Sequence, residues 1–141
     1  MIKMLVATDG SEHSLKTLSE ACNIALALNA DVTVITVIEE LHYTEYVFHL
    51  QTAEKMKVEY WERAQKILDQ AEKIFQDKGI KVKKIIAKGH PAEMICQTAA
   101  KENANLVIVG SRGLGGIKEL LLGSVSNRVA HCVKSHVMIV K

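Results

Sequence analysis

The stretch LVIVGSRGLGGIKELLLGS, residues 106–124, joins a strand-like apolar run to a segment that is unusually rich in glycine. Glycine occupies five of the fifteen positions from Gly110 to Ser124. Because glycine loses more backbone entropy on folding than any other residue, such a cluster needs a structural reason. A mobile linker, a tight structural turn and a cradle for an anion are three alternatives, and the rest of the chain has to distinguish between them.

Short apolar runs recur along the chain and predict strands. The run that precedes the glycines is fully apolar, which is typical of a central strand in a parallel sheet. The run at 80–88 alternates only loosely, as expected near a sheet edge. The predicted strands are residues 2–8, 31–38, 80–88, 106–110 and 136–141.

Amphipathic stretches between these runs predict helices. One helix opens at Ser11 and Glu12, a long one covers about 53–78 and stops at Gly79, and a short one begins within GHPAEMI, 89–95. A fourth helix follows the glycine segment, with Ser124 as its cap. The first helix is expected to bury an apolar stripe made of Leu15, Leu18, Cys22 and Leu26.

The resulting order β-α-β-α-β-α-β-α-β predicts an α/β fold, one doubly wound parallel sheet of five strands with helices on both faces. Right-handed crossovers favour the strand order 3-2-1-4-5, in a single domain over residues 1–141. Ligands of such sheets bind outside the carboxyl ends of the strands where the order reverses, here between strands 1 and 4. The loop TDGS (8–11) and the glycine segment should therefore open onto one crevice, which disfavours a mobile linker.

Composition narrows the class of protein. The chain has 141 residues, 48% hydrophobic and 24% charged, with a formal charge of +2. This charge is too small for a basic nucleic-acid surface, and we expect neither a nucleic-acid nor a membrane partner. No apolar stretch is long enough to span a bilayer, and the first residues do not resemble a secretion signal. The three cysteines, Cys22, Cys96 and Cys132, are expected to be free buried thiols in a reducing cytoplasm.

The glycine segment has the properties of an anion-binding loop. Gly110 and Gly113 follow the fourth strand, while Gly123 and Ser124 begin the next helix, so both ends of the loop can meet one phosphate chain. Hydroxyls of Ser124 and Ser126 would add donors, and Arg112 or Lys118 a positive charge. The segment matches neither a Walker A loop, because Ser124 follows Gly123 without the lysine, nor a dinucleotide fingerprint, because position 118 is lysine.

Gly110-x2-Gly113-x9-Gly123-Ser124 resembles the ATP-binding signature of the universal stress protein family. The opening LVATDGSEHS is similar to the first strand and loop of that family. GHPAEMI, NLVIVGSRGLGG and LLLGSVSNRVAHCVKSHVMIV continue the resemblance in order. The variable region 40–60 lies outside it, and Ser135-His136 stands where many members have a proline before the last strand.

The resemblance implies an adenine nucleotide alpha hydrolase-like fold in a dimeric stress-response protein that binds ATP, or another adenine nucleotide, with Mg²⁺ held through the phosphates. Strand 1 and its loop would line the nucleotide, and Val37 would offer backbone groups to adenine. The other positions would surround ribose and phosphates. By position, the implied nucleotide-binding residues are Ala7, Thr8, Asp9, Val37, Gly110, Arg112, Gly113, Gly123, Ser124, Val125 and Ser126.

Several alternatives remain open from the sequence. Asp9 suits a ribose hydroxyl or a metal-bound water, but Asp-Gly is also a common turn and helix cap. A nucleotide-dependent regulatory protein is the leading interpretation, without catalytic residues or a dedicated metal site. The rivals are a weak ATPase and a nucleotide-independent module that dimerises through the apolar edge strand 136–140. The stretch LHYTEYVFHL, 41–50, is either a lid over the crevice or a patch for a partner, and the role of the segment 40–55 stays open.

Overall fold

The computed structural model describes residues 1–39, 50–112 and 122–141, and the side chains of 1–39, 54–112 and 122–141. Strands and helices alternate along the chain. In order they are β1 (Lys3–Ala7), α1 (Glu12–Leu28), β2 (Asp31–Ile38), α2 (Leu50–Gln76), β3 (Val82–Lys88), α3 (Pro91–Lys101), β4 (Leu106–Gly110), α4 (Ser124–Cys132) and β5 (His136–Val140).

The five strands form one parallel sheet in the order β3-β2-β1-β4-β5. The fold class and the strand order expected from the sequence are therefore confirmed. Val6 of β1 is in register with Val34 of β2 on one side and Ile108 of β4 on the other. The chain thus winds outward from β1 in both directions, and β1 and β4 flank the position where that direction reverses.

Alternating side chains of the central strands build a core on each face of the sheet, because successive residues of a strand point to opposite faces. Met4 and Val6 pack with Leu18 of α1 and Phe75 of α2. Leu5 and Val107 belong to the opposite cluster, together with residues of α3 and α4. Phe75 is fully buried, which is worth about 1.5–3 kcal/mol relative to an exposed side chain.

The apolar stripe expected on α1 is half wrong. Leu18 and Cys22 are buried, but Leu15 and Leu26 are 41% and 52% exposed. The face of α1 that packs on the sheet and α2 consists mainly of small side chains, which permit close approach of the helix. These buried positions are Ser14, Thr17, Leu18, Ala21, Cys22 and Ala25.

Helix boundaries differ from the expected ones by a few residues. The end of α2 at Gln76 is followed by Gly79, which has φ +75° and donates its N–H to the Gln76 carbonyl at 2.8 Å. This left-handed glycine confirms the predicted stop of the helix. At α4 the cap is Gly123, and Ser124 is the first helical residue instead of the expected cap.

The expectation of three free thiols is wrong for two of them. Cys96 of α3 and Cys132 of α4 form a disulfide, with their Cα atoms 6.1 Å apart. Cys22 is free and buried, as expected. Cys96 and Cys132 are 36 residues apart in the sequence, which gave no sign of their contact. The contact exists because α3 and α4 pack side by side on the same face of the sheet. Among the described residues, none of the helices is both long and apolar enough to cross a bilayer.

Candidate functional site

The loops after β1 and β4 leave the same edge of the sheet at its centre. Both strands are parallel neighbours, so their carboxyl ends lie side by side. Thr8, directly after β1, is buried and donates its N–H to the Ile35 carbonyl of β2 at 3.0 Å. This bond continues the sheet pattern past the end of β1 and fixes where its loop begins. The two loops thus begin side by side where the strand order reverses, the position at which ligands of such sheets bind.

The β1 loop is a tight turn organised by Asp9. Its Oδ1 accepts a hydrogen bond from the Ser11 N–H at 2.9 Å, and the Ser11 hydroxyl caps α1 by accepting from the Ser14 N–H at 3.2 Å. Gly10 between them has φ +76°, a conformation that suits glycine. A Cβ on Gly10 would also lie 2.7 Å from Cγ1 of Ile67 on α2. Asp9 therefore has the turn-forming role that the sequence left as one alternative.

The two ends of the glycine loop meet next to β4. Ser111 donates its N–H to the Val140 carbonyl of β5 at 2.8 Å, and its own carbonyl accepts from the Gly123 N–H at 2.7 Å. A Cβ on Gly123 would lie 3.0 Å from that Ser111 oxygen, so glycine permits this close approach. The loop from 112 to 122 is thus closed at its base. The expected return of the loop on itself is confirmed.

Among the described residues, no side chain of the cap residue engages the first amide groups of α4 at this closed base. Gly123 has no side chain with which to cap the helix, and no acidic residue lies in the first turn. The Ser126 hydroxyl instead donates to the Gly123 carbonyl at 3.0 Å, and Ser126 is buried. The first N–H groups of a helix have no partner within it, and the helix dipole places positive charge there. This end of α4 is therefore suited to a phosphate group.

Gly110 has a packing role. A Cβ on it would lie 2.8 Å from the Thr17 hydroxyl oxygen and 3.1 Å from Cδ2 of His13, both on α1. The His13 Nε2 in turn lies 3.1 Å from the Val140 carbonyl oxygen. Sequence reasoning missed His13 and Thr17 as neighbours of the loop. Their spacing of four residues, which places both on one face of α1, was the available signal.

The remaining predicted residues occupy the same edge or lie outside the described chain. Ala7 and Val37 are half-buried near the carboxyl ends of β1 and β2, and Arg112 is exposed at the start of the glycine loop. Ser124 is exposed and Val125 half-buried in the first turn of α4. Gly113 and Lys118 lie outside the described residues, as does most of the segment 40–55.

Comparison with known proteins identifies the family to which this arrangement belongs. The sequence model described as the universal stress protein family matches residues 1–141. The chain belongs to the universal stress protein family. Universal stress protein YxiE of Bacillus subtilis is 35% identical over 146 residues, covering 99% of this chain and 98% of the relative. Universal stress protein MJ0531 of Methanocaldococcus jannaschii is 34% identical over 137 residues, covering 92% and 78%.

Solved structures of this universal stress protein's relatives share its fold. Hypothetical protein MJ0577 superposes with a TM-score of 0.84 at 32% identity, over 99% of this chain and 95% of the other. A universal stress protein crystallised in complex with cAMP has a TM-score of 0.71 at 28% identity, covering 99% and 96%. A third, from Archaeoglobus fulgidus in complex with dAMP, has a TM-score of 0.76 at 19% identity, covering 100% and 98%, and supports the fold alone.

A cavity lies at the opposite end of the sheet from these loops. It has a volume of about 350 Å³ and is lined near the amino ends of β1, β2 and β3 by side chains that include Lys3, Thr33 and Lys83. Lys83 is already paired with Glu102 at 2.8 Å, an exposed ion pair of small energetic value. Nothing comparable to the α4 N-terminus faces this cavity among its lining residues. The carboxyl edge is therefore the better candidate for an anionic ligand.

Proposed function

We propose that this universal stress protein binds an adenine nucleotide, with ATP as the expected ligand, in the crevice between the β1 loop and the glycine loop. The observation that carries the proposal is the closure of the glycine loop, with the Gly123 N–H on the Ser111 carbonyl at 2.7 Å. This bond brings the N-terminus of α4 to the carboxyl end of β4, beside β1. A phosphate chain placed there would meet both the helix dipole and the first amide groups of α4.

The nucleotide would lie along the edge with its base toward β2 and its phosphates toward α4. Ala7, Thr8 and Asp9 would line one side, and backbone groups of Val37 would face adenine. Mg²⁺ would be held through the phosphate oxygens. Ribose and phosphates would be surrounded by Gly110, Arg112, Gly113, Gly123, Ser124, Val125 and Ser126. A relative at 28% identity crystallised with cAMP, another adenine nucleotide, which supports this class of ligand.

Binding with regulatory output is favoured over turnover. Phosphoryl transfer to water needs a residue that positions the water, a metal and a cation that stabilises charge. Asp9 is the carboxylate of the β1 loop, and its Oδ1 is engaged by the Ser11 N–H at 2.9 Å. The turn accounts for the presence of this carboxylate without a catalytic role. We therefore propose a cytoplasmic, nucleotide-dependent regulator of the stress response whose ATP hydrolysis, if measured, is slow.

Homodimerisation through β5 is part of the same proposal. β5 is an edge strand of this sheet, so one row of its backbone N–H and C=O groups has no neighbouring strand among the described residues. Met138 in the middle of β5 is 39% exposed, while Val137 and Ile139 pack against the core. Sedimentation at micromolar concentration should give a dimer, and Met138→Lys should shift it toward monomer. A wild-type monomer under those conditions would contradict this part.

Isothermal titration calorimetry with Mg-ATP, AMP and GTP tests the proposal directly. We expect the two adenine nucleotides to bind and GTP to bind more weakly, because the proposed base contacts are to adenine. Heat denaturation of the purified protein, followed by an absorbance spectrum near 260 nm of the released material, reports nucleotide that survives purification. Absence of adenine-nucleotide binding at millimolar concentration would reject the proposal. Phosphate release well above background that is lost in Asp9→Ala would favour the ATPase alternative.

A further inference from the structure

Two of the three cysteines meet across the contact between α3 and α4. Cys96 lies in α3 and Cys132 is the last residue of α4, and their Cα atoms are 6.1 Å apart. This separation is within the range that a disulfide spans without movement of the backbone. Cys22 is remote from the pair, because it is buried in the core on the other face of the sheet.

Packing that does not depend on the disulfide holds the two cysteines together. Ala92 and Ile95 of α3 are buried in the same apolar cluster as Val129 of α4. Nη1 of Arg128 on α4 lies 3.3 Å from Nε2 of His90, the cap residue of α3. The thiols of the reduced protein would therefore remain neighbours. A high effective concentration of one thiol near the other favours the intramolecular bond.

The pair is accessible from solvent at one of its two residues. Cys132 is exposed and Cys96 is half-buried. A small disulfide or thiol can therefore reach Cys132 without unfolding the protein. Cys22, in contrast, is only 1% exposed, and its burial raises the pKa of its thiol to about 11. The thiolate is the reactive form of cysteine, so Cys22 should be inert.

The helix that carries Cys132 is otherwise lightly anchored. Of the residues of α4, only Ser126 and Val129 are buried. The disulfide therefore adds a covalent anchor at the end of a helix whose other end, Ser124, follows Gly123 directly. Because a helix of nine residues is a stiff element, restraint at Cys132 reaches its first turn.

We propose that Cys96 and Cys132 are a redox-active dithiol pair, whose reversible oxidation fixes α4, and with it the Gly123 end of the glycine loop, against α3. Glutathione disulfide is a suitable oxidant by chemical class. The Cys132 thiolate attacks one of its sulfurs, which breaks that disulfide and releases one glutathione thiol. Cys96 then attacks the Cys132 sulfur, forms the protein disulfide and releases the second glutathione. The two protons of the protein thiols finish on the two glutathiones.

Thiol counting on the whole protein tests the chemistry. Dithiothreitol-reduced protein, treated with glutathione disulfide and then denatured, should show one thiol instead of the three present in the sequence. Peptide mapping without reductant should recover Cys96 joined to Cys132 in monomeric chains. Cys22→Ser is the matched control and should still form the bond, whereas Cys132→Ser should not. Three remaining thiols in the wild type, a stable glutathione adduct on Cys132, or a bond between chains would overturn the proposal.

Hydrogen exchange of backbone amides tests the effect on α4. We expect amides of residues 124–132 to exchange about tenfold more slowly in the oxidised than in the reduced protein, because the bond suppresses local opening. In Cys132→Ser, these amides should exchange as fast under oxidising conditions as under reducing conditions. Equal exchange in oxidised and reduced wild type would overturn the proposed coupling. Neither experiment uses a nucleotide, so failure of the proposed nucleotide binding would be distinguished from failure here.

Discussion

Replacement of Ser124 by aspartate separates the stability of α4 from its capacity to bind phosphate. Ser124 is exposed, begins α4 and follows the cap residue Gly123, which has no side chain to accept from the first amides. An acidic side chain in the first turn interacts favourably with the helix dipole, by about 0.3–1 kcal/mol. The first turn of α4 has no acidic residue. We therefore expect Ser124→Asp to fold normally and to be equally stable or slightly more stable than the wild type.

The same carboxylate would repel a bound triphosphate. Two unit charges about 5 Å apart interact by roughly 3 kcal/mol at an effective dielectric constant of 20, and by less where water reaches them. Because Ser124 is exposed, we expect a loss of about 1–3 kcal/mol in ATP binding, equivalent to a roughly 5- to 150-fold weaker affinity. Adenosine has no phosphate, so its affinity should hardly change.

Calorimetric titration with Mg-ATP and with adenosine, together with thermal unfolding, measures both effects. Ala130→Glu is the matched control, since it adds the same charge at an exposed position about 9 Å farther along the same helix. That distance exceeds the screening length of about 8 Å at physiological ionic strength, so its ATP affinity should stay near that of the wild type. Unchanged ATP affinity in Ser124→Asp, or equal losses for ATP and adenosine, would refute phosphate binding at α4.

Three further substitutions test the structural roles assigned above. Gly10→Ala should lower the melting temperature by roughly 4–8 °C, because position 10 has a positive φ and the added Cβ would contact Ile67. Position 79 also has a positive φ, +75°, but open space around it, so Gly79→Ala should lower the melting temperature by less. Thr17→Val should raise the free energy of unfolding by about 1 kcal/mol in urea titration, since the buried Thr17 hydroxyl has no hydrogen-bond partner among the described residues. A lower free energy of unfolding in the variant would show that the hydroxyl is needed. Burial raises the pKa of the Cys22 thiol from 9.0 to about 11, so on raising the pH the unfolded chain releases this proton before the folded protein does. The free energy of unfolding should therefore fall between those pH values, and more steeply than in Cys22→Ala. Parallel pH profiles for the two proteins would contradict this assignment.

The architecture followed from the sequence because hydrophobic periodicity and element order determine it. The predicted strand at 31–38 coincides with β2, which lies between β1 and β3 and buries four of its β-branched residues, Val32, Val34, Ile35 and Thr36. The inner face of α1 was harder to predict, because small residues such as Ala21 and Ala25 carry little hydrophobic signal although they permit close packing. Contacts across distant segments, such as Cys96 with Cys132, depend on tertiary packing and had no local signal.

Residues of the candidate site could be predicted from the sequence where the residue type is compatible with a single structural role at its position. Gly123 lies where its amide and its missing side chain permit the loop to close on Ser111, as expected. Glycine at position 110 was compatible with anion binding or with a close structural approach, and the structure shows the close approach of His13 and Thr17. Asp9 likewise had several possible roles, and its bond to the Ser11 N–H shows that it forms the turn. Ambiguity of this kind needs tertiary structure to resolve it.

A titration of isotope-labelled protein with Mg-ATP, followed by amide chemical shifts in two-dimensional NMR spectra, tests nucleotide binding at the carboxyl edge most directly. We expect the largest shifts at amides after β1 and in the first turn of α4, among them Thr8, Asp9, Gly123 and Ser124. Amides near Lys3 and Lys83, at the opposite cavity, should move little. Shifts confined to that cavity, or none at millimolar ATP, would contradict binding between the two loops.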